Sequence, residues 1–378
     1  MGHHEELTKE EHFLLEIVKD YVHECPTSMR EGIDWNQMDK LAKKHQLSAI
    51  VYYQCKQLSG SDILKNAYYG TVSISAKRNK LYNSVIGELE KKGLDYVPYK
   101  GIVISQYYPQ PTYRAMGDVD ILTPDLDKAA EVMMSLGFIG QRNSEEWDGT
   151  KNSILFEMQS KFFSNSISLT DKQKAFFENY ENYVSNHHID VSYHFLLVVC
   201  HMMKHIKNGQ GIGLRQFLDV ALFMQNAEWL NWEWIFNTAE EIELLRFLSV
   251  TLNFVNQLFV IPIPSQTMPV SESILQNLLE KVLMDGSFQS NSHDRILAKK
   301  VNGTTTRKKT LMVLFPSINH MQEKYNYLVR TPILLPFAWM ERILKYFFST
   351  KKTTNRTIVI TSDEIDNRKS FLSALGIQ

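Results

Sequence analysis

Cysteine is scarce: Cys25, Cys55 and Cys200 are the only three, they stand far apart, and none belongs to a CxxC pair. That excludes a disulfide framework and a cysteine-built zinc site, and it leads us to expect a reducing, cytoplasmic setting. Excess charge of either sign is lacking as well. Lysine plus arginine number 41 and aspartate plus glutamate 42, so no global field is available to hold a long polyanion or an acidic membrane, and any phosphate site must be local. Long hydrophobic runs are missing. The most apolar late stretch, Thr331 to Met340, is about half the ~20 residues that a membrane span requires, and Glu341 and Arg342 follow it at once. The opening Met-Gly-His-His-Glu-Glu has no basic segment leading into an apolar one, which argues against secretion. No Gly-x-Ser-x-Gly elbow or P-loop occurs. The glycines of Gly209-Gln210-Gly211-Ile212-Gly213 follow a helix rather than a strand, so they predict a helix-to-helix turn presenting Arg215, not a dinucleotide fingerprint.

Apolar residues, 44% of the chain, are ample for more than one packed module. The periodicity predicts an α+β protein in three parts. Residues 1–93 read as a helical module. Thr8 and Glu11 make a capping box ahead of Leu14, Ile17, Val18, Tyr21 and Val22, a second helix starts at Asp34, and a longer one runs from about Asp62 to Lys92 and stops at Gly93. Residues 94–170 read as a small α/β core, with strands at Tyr96–Tyr99, Asp118–Leu122 and Ile154–Gln159 and a helix from Pro124-Asp125 to Gly137. From 171 to 378 helices return, at Phe195–Met203, Phe217–Met224 and Leu244–Phe259, with a turn or sub-boundary near 261–271 around Ile261-Pro262-Ile263-Pro264. Ser287–Lys309 is polar and predicts partial loop, while Phe337–Phe348 and Ile365–Leu375 predict helices.

Asp118 and Asp120 are the most informative residues, because an i, i+2 pair on a strand projects two carboxylates to one face roughly 7 Å apart. Two divalent cations held ~3.5–4 Å apart by carboxylates can clamp both the attacking and the leaving oxygen of a phosphoryl displacement, and magnesium accepts such a donor set together with substrate phosphates. The alternative is two solvated acids on a half-exposed strand. Upstream, Lys100-Gly101 sits at a strand end just before a helical stretch, where backbone N–H groups and the lysine could hold phosphate. A proline-stiffened loop delivers Arg114 four residues before Asp118, either to bind phosphate bidentately or to form a salt bridge holding the two aspartates. Glu157 offers a third acid on a strand whose opposite face is apolar. Asp190 competes for that role but precedes an apolar run, as a helix N-terminal residue would. His201 and His205, at i, i+4, lack a metalloprotease glutamate and a third ligand and so read as a packed or cleft-lining pair. Arg215 and Asp219, one turn apart, read as an ion pair facing the cleft.

These residues carry a family likeness. Tyr99-Lys100-Gly101, then Tyr107-Tyr108-Pro109-x-Pro111-x-x-Arg114-x-x-Gly117-Asp118-x-Asp120-Ile121-Leu122, resembles the uncharacterised nucleotidyltransferase family of the DNA polymerase β-like superfamily. Ile154-Leu155-Phe156-Glu157 looks like that family's third-carboxylate strand, and His201-Met202-Met203-Lys204-His205 with Gly211 to Asp219 looks like its helical signature. Phe315-Pro316-Ser317 and Leu335-Pro336-Phe337-Ala338-Trp339 resemble stretches of its C-terminal part. The resemblance implies a small mixed-sheet core embedded between helical regions, moving a nucleoside monophosphate from a triphosphate onto an acceptor with release of pyrophosphate. Asp118, Asp120 and Glu157 would hold magnesium or manganese, and Lys100, Gly101 and Arg114 would position the phosphates. The balanced charge favours a small molecule or protein over nucleic acid as acceptor. A nucleotide-binding or partner-docking module without turnover is the alternative on the same fold. Lys100-Gly101 replaces the superfamily's usual Gly-Ser or Gly-Gly turn, and Met158-Gln159 follows Glu157 where the family often has histidine.

Overall fold

The computed structural model describes residues 6–163, 169–287, 292–302, 321, 331, 334–348 and 360–377. These fall into two compact units, one within 1–290 plus 372–378 and the other within 291–371.

The first unit begins with helices α1 (Lys9–Val22), α2 (Trp35–Lys44), α3 (Ser48–Cys55) and α4 (Lys65–Lys91). The capping box at Thr8 is formed in both directions, and Asp34 caps α2 by accepting from the amides of Asn36 and Gln37. Helix α4 ends at Gly93, whose φ of +63° is the left-handed stop that glycine favours. Helix α3 is too short and too uniformly apolar to show a helical period, which is why the sequence pattern does not reveal it.

The sheet follows: β1 (Val97–Tyr99), a one-turn α5 (Gly101–Ile104), β2 (Asp118–Leu122), α6 (Leu126–Ser135), β3 (Ile139–Arg142), β4 (Glu146–Lys151) and β5 (Ile154–Gln159). The strand order is β1-β2-β5-β4-β3, mixed, with β2 and β5 parallel and every other pair antiparallel. Period-2 alternation sorts the two faces. Val119, Ile121, Trp147, Phe156 and Met158 pack against Val85 and Leu89 of α4 and Ala129, Val132 and Met133 of α6, forming one dry core. Asp118, Asp120, Glu157 and Gln159 are left on the other face. Gly149 lets the Trp147 indole lie against the backbone, since a Cβ there would meet the ring at 2.1 Å.

Helices then cover the polar face. After α7 (Asp171–Glu178) and a short hairpin of β6 (Val184–Ser185) and β7 (His188–Ile189) come α8 (Val191–Lys207), α9 (Leu214–Asn226), α10 (Trp232–Glu241), α11 (Leu245–Phe259) and α12 (Glu272–Asp285). The glycine-rich segment between α8 and α9 is the expected turn, and Ile261–Pro264 lies in the connection from α11 to α12. In the second unit, Ser292–Val301 forms helix α13 where partial loop was expected. Helices α14 (Leu335–Phe348) and α15 (Ser362–Ala374) fall where periodicity placed them. Phe315–Ser317 lies outside the described residues. Among the described residues no helix is long and apolar enough to cross a membrane.

Candidate active site

Register brings the acids together. Asp120 stands opposite Glu157 across the parallel β2–β5 pair, and Asp118 is two residues away on the same face. All three line a cavity of about 500 Å³, which Lys100, Gly101 and Arg114 share with His201, His205, Arg215 and Asp219. Asp190 is elsewhere: its carboxylate accepts from the Tyr193 amide at 2.9 Å and caps α8.

The sheet wall of this cavity is acidic. Burial pushes the Glu157 carboxyl up to about 8, and Asp120 and Asp118 add to the shift. Gln159 donates Nε2 to Glu157 Oε2 at 2.8 Å while its Oε1 accepts the Tyr99 hydroxyl, so Gln159 orients the third acid from within the same strand. Lys100 reaches across to Asp120 at 2.7 Å. Burial opposes the lysine's charge, but Asp120, Tyr99 and Asp118 together hold it protonated.

Lys100 takes this position at a conformational cost, with φ of +51° in the left-handed region. Its amide donates to His194 Nε2 at 2.9 Å, which fixes the turn. His194 can serve as that acceptor because burial, with Lys100 and Arg114 adding to it, drives its pKa down to about 3 and keeps the ring neutral. Since α5 has four residues and the Lys100 amide is already engaged, the turn offers less free N–H to phosphate than expected. At Gly101 a Cβ would sit 2.8 Å from Arg114 Nη1 and 3.0 Å from Met116 Sδ, so only glycine lets the arginine pack there.

Arg114 pairs with neither Asp118 nor Asp120. Its Nε and Nη2 form a two-pronged contact with Asp219, at 2.7 and 2.8 Å, while Arg215 Nη1 donates to the same carboxylate at 2.9 Å and the Tyr108 hydroxyl donates to it at 2.6 Å. Burial alone would raise the Asp219 carboxyl, but Arg114 and Arg215 hold it below the usual carboxylate range. Arg215 Nε in turn donates to Gln46 Oε1 at 2.9 Å, so the loop after α2 reaches the site. His201 and His205 meet Nε2 to Nε2 at 2.7 Å, and burial together with Lys100 lowers both, His205 to about 3.

Sequence reasoning missed His194, Gln46, Gln159, Arg78 and Lys204. Arg78 of α4 is buried and donates Nη2 to the Met116 carbonyl at 2.7 Å, bracing the loop that leads into Asp118. His194, Gln46 and Arg78 act through tertiary contacts with no local spacing signal, whereas Gln159 shares a strand face with Glu157 at i, i+2.

Residues 31–260 match the model of a family described as uncharacterised nucleotidyltransferase. The chain belongs to that family. The match covers more than half of the chain and starts inside the N-terminal helices, consistent with Gln46 and Arg78 touching the site. It stops at residue 260, so the C-terminal likenesses near 315 and 335 lie beyond it. No curated protein and no solved structure matches the chain. Membership in the nucleotidyltransferase family points to an enzyme acting on nucleotides.

The donor set also bears on whether a divalent cation fits. Among the described residues no three His, Cys, Asp or Glu side chains form a ready-made metal cage. Magnesium does not need one, since it is usually held by one or two carboxylates plus substrate phosphates. Burial raises Glu157 first, and the Asp120 and Asp118 charges that add to it are a field a cation would relieve, so the residues suit a cation arriving with the phosphates.

Proposed function

We propose that this chain transfers a nucleoside monophosphate from a nucleoside triphosphate to an acceptor hydroxyl, releasing pyrophosphate. The observation that carries the reading is the β2–β5 register, which sets Asp118, Asp120 and Glu157 on one wall of one cavity. Asp118 and Asp120, with Glu157 completing the set, would hold Mg²⁺ or Mn²⁺. When bound, the cation neutralises phosphate charge as it builds up in transfer.

The chain's own groups do the rest. The acceptor oxygen attacks the α-phosphorus as the bond to the β-phosphate's bridging oxygen breaks, and the electron pair leaves with pyrophosphate. Glu157, in its ionised form, takes the acceptor's proton. Gln159 holds its Oε2 in place, and a carboxyl poised near 8 is matched to general-base work around neutrality. Lys100 holds Asp120 in place. The acceptor is a small molecule or protein in preference to nucleic acid, given 41 basic against 42 acidic residues.

One observation favours a second reading, nucleotide binding without turnover: Asp120 is already paired with Lys100. Titration calorimetry with non-hydrolysable nucleoside triphosphates, with and without magnesium, tests the main reading. We expect magnesium-dependent binding that Asp118→Asn abolishes. Binding indifferent to both magnesium and Asp118→Asn would overturn it. Magnesium-dependent binding with no pyrophosphate release across a panel of hydroxyl acceptors would favour the second reading.

A further inference from the structure

The helical wall of the cavity holds a cation with no assigned work. Lys204, on α8 between the two histidines, lines the cavity, and among the described residues its ammonium makes no hydrogen bond or ion pair. It lies 5.5 Å over the Phe163 ring. Glu146 and Glu157 favour its charge only through the field, and burial with the nearby Lys100 works against it. A half-buried ammonium without a carboxylate at contact distance is costly unless an anion meets it.

Two other residues that line the cavity each keep a buried donor without a partner. Gln216 is nearly buried; its Oε1 accepts the Gly213 amide and the Ser287 hydroxyl, but its Nε2 has no hydrogen-bond partner. Arg114 gives two of its nitrogens to Asp219 and leaves Nη1 without a partner. By contrast the lysine expected to bind phosphate, Lys100, is committed to Asp120.

We propose that Lys204, with Gln216 Nε2 and Arg114 Nη1, forms the seat for the anionic end of the nucleotide, the β- and γ-phosphates and then the departing pyrophosphate, while Lys100 serves Asp120 instead. This rests on the nucleotidyl-transfer reading and assigns its phosphate subsite to the helical wall. Lys204, together with the enclosed and unpartnered donors of two further residues that line the same cavity, suits a polyphosphate, which offers only acceptors. Met substitutes for Lys204 at similar length against the Phe163 ring, and Arg keeps the charge. Gln216→Glu keeps the cap acceptor while replacing the free donor with a negative oxygen.

The test is calorimetric titration of the full chain with sodium tripolyphosphate in EDTA, so that no metal is involved, with folding checked by circular dichroism. Wild type should bind. Lys204→Met should weaken binding about tenfold or more, Gln216→Glu should weaken it likewise, and Lys204→Arg and Asp118→Asn should retain it. Equal affinity in folded Lys204→Met and wild type overturns the proposal, as does absence of tripolyphosphate binding by wild type. In either case titration with magnesium and a non-hydrolysable triphosphate separates the two readings: binding there leaves nucleotidyl transfer standing with its phosphates seated elsewhere.

Discussion

The two walls of the cavity are built on opposite electrostatic plans. On the sheet wall, Asp118, Asp120 and Glu157 are like charges set side by side, with Lys100 as the contacting cation for one of them, and burial, with Asp120 and Asp118 adding to it, raises Glu157 to about 8. On the helical wall, Arg114, Arg215, Tyr108 and Asp219 satisfy one another at 2.6 to 2.9 Å in a buried cluster. The first arrangement leaves like charges facing one another, whereas in the second the Asp219 carboxylate is fully met, although Arg114 keeps one nitrogen unpartnered. Acids left unrelieved in a cleft are candidates for chemistry, and a mutually satisfied cluster is a candidate for support. The comparison therefore predicts that changes to the sheet acids remove function and spare stability, and that changes to the Asp219 cluster cost stability first.

The largest expected effect is on the helical wall. Asp219→Ala would leave the Arg114 and Arg215 guanidinium groups buried without their shared carboxylate. A loss of about 3–5 kcal/mol in unfolding free energy is expected, read from urea denaturation. Next comes Asp118→Asn, expected to reduce transfer on the order of 10²–10³-fold while changing stability by no more than about 0.5 kcal/mol. A stability loss in Asp118→Asn as large as that in Asp219→Ala would break the comparison.

A third effect is a slope. Glu157 keeps its proton to about 8 in the fold and to about 4.5 in the unfolded chain. Between those values the folded state holds the extra proton, so this carboxyl's contribution makes stability fall as pH rises through that window. Glu157→Gln should flatten the slope when urea midpoints are compared across the window. An unchanged slope would mean that burial and the neighbouring acids do not raise Glu157 in the fold.

Legibility in the sequence divides along the same line. The sheet wall was readable because a strand's period-2 alternation fixes which side chains share a face, so Asp118 and Asp120 announce themselves and Glu157 follows from the next apolar-backed strand. Helices α1, α2, α4 and α6 were readable from caps and apolar stripes. Strand β3 was not, because all four of its residues are exposed and carry no pattern. Strand β4 was not, because its place depends on Trp147 lying against Gly149. The helical wall was half readable: an i, i+4 spacing predicts Arg215 with Asp219, but nothing local says that Arg114, 105 residues earlier, takes the same carboxylate. Nor does any spacing link Lys100 to His194, or Arg215 to Gln46. Such contacts are set by how helices lie over the sheet, which a single sequence does not encode in any window.

Asp190 and Glu157 make the smallest and sharpest test, since both were candidates for the third acid. Asp190 caps α8 at 2.9 Å from the Tyr193 amide, so it sits among the satisfied groups. Removing an N-cap carboxylate leaves one helix-end amide without its partner, and Asp190→Ala should cost about 1 kcal/mol of stability with magnesium-dependent nucleotide binding unchanged. Glu157→Gln should do the opposite, weakening that binding with no loss of stability near neutral pH, because it replaces a carboxyl that the fold already keeps largely protonated there. If Asp190→Ala lowered magnesium-dependent binding and Glu157→Gln did not, the third acid would have to be reassigned, and the division between the crowded sheet acids and the carboxylates whose partners are met would fail at the residue that defines it.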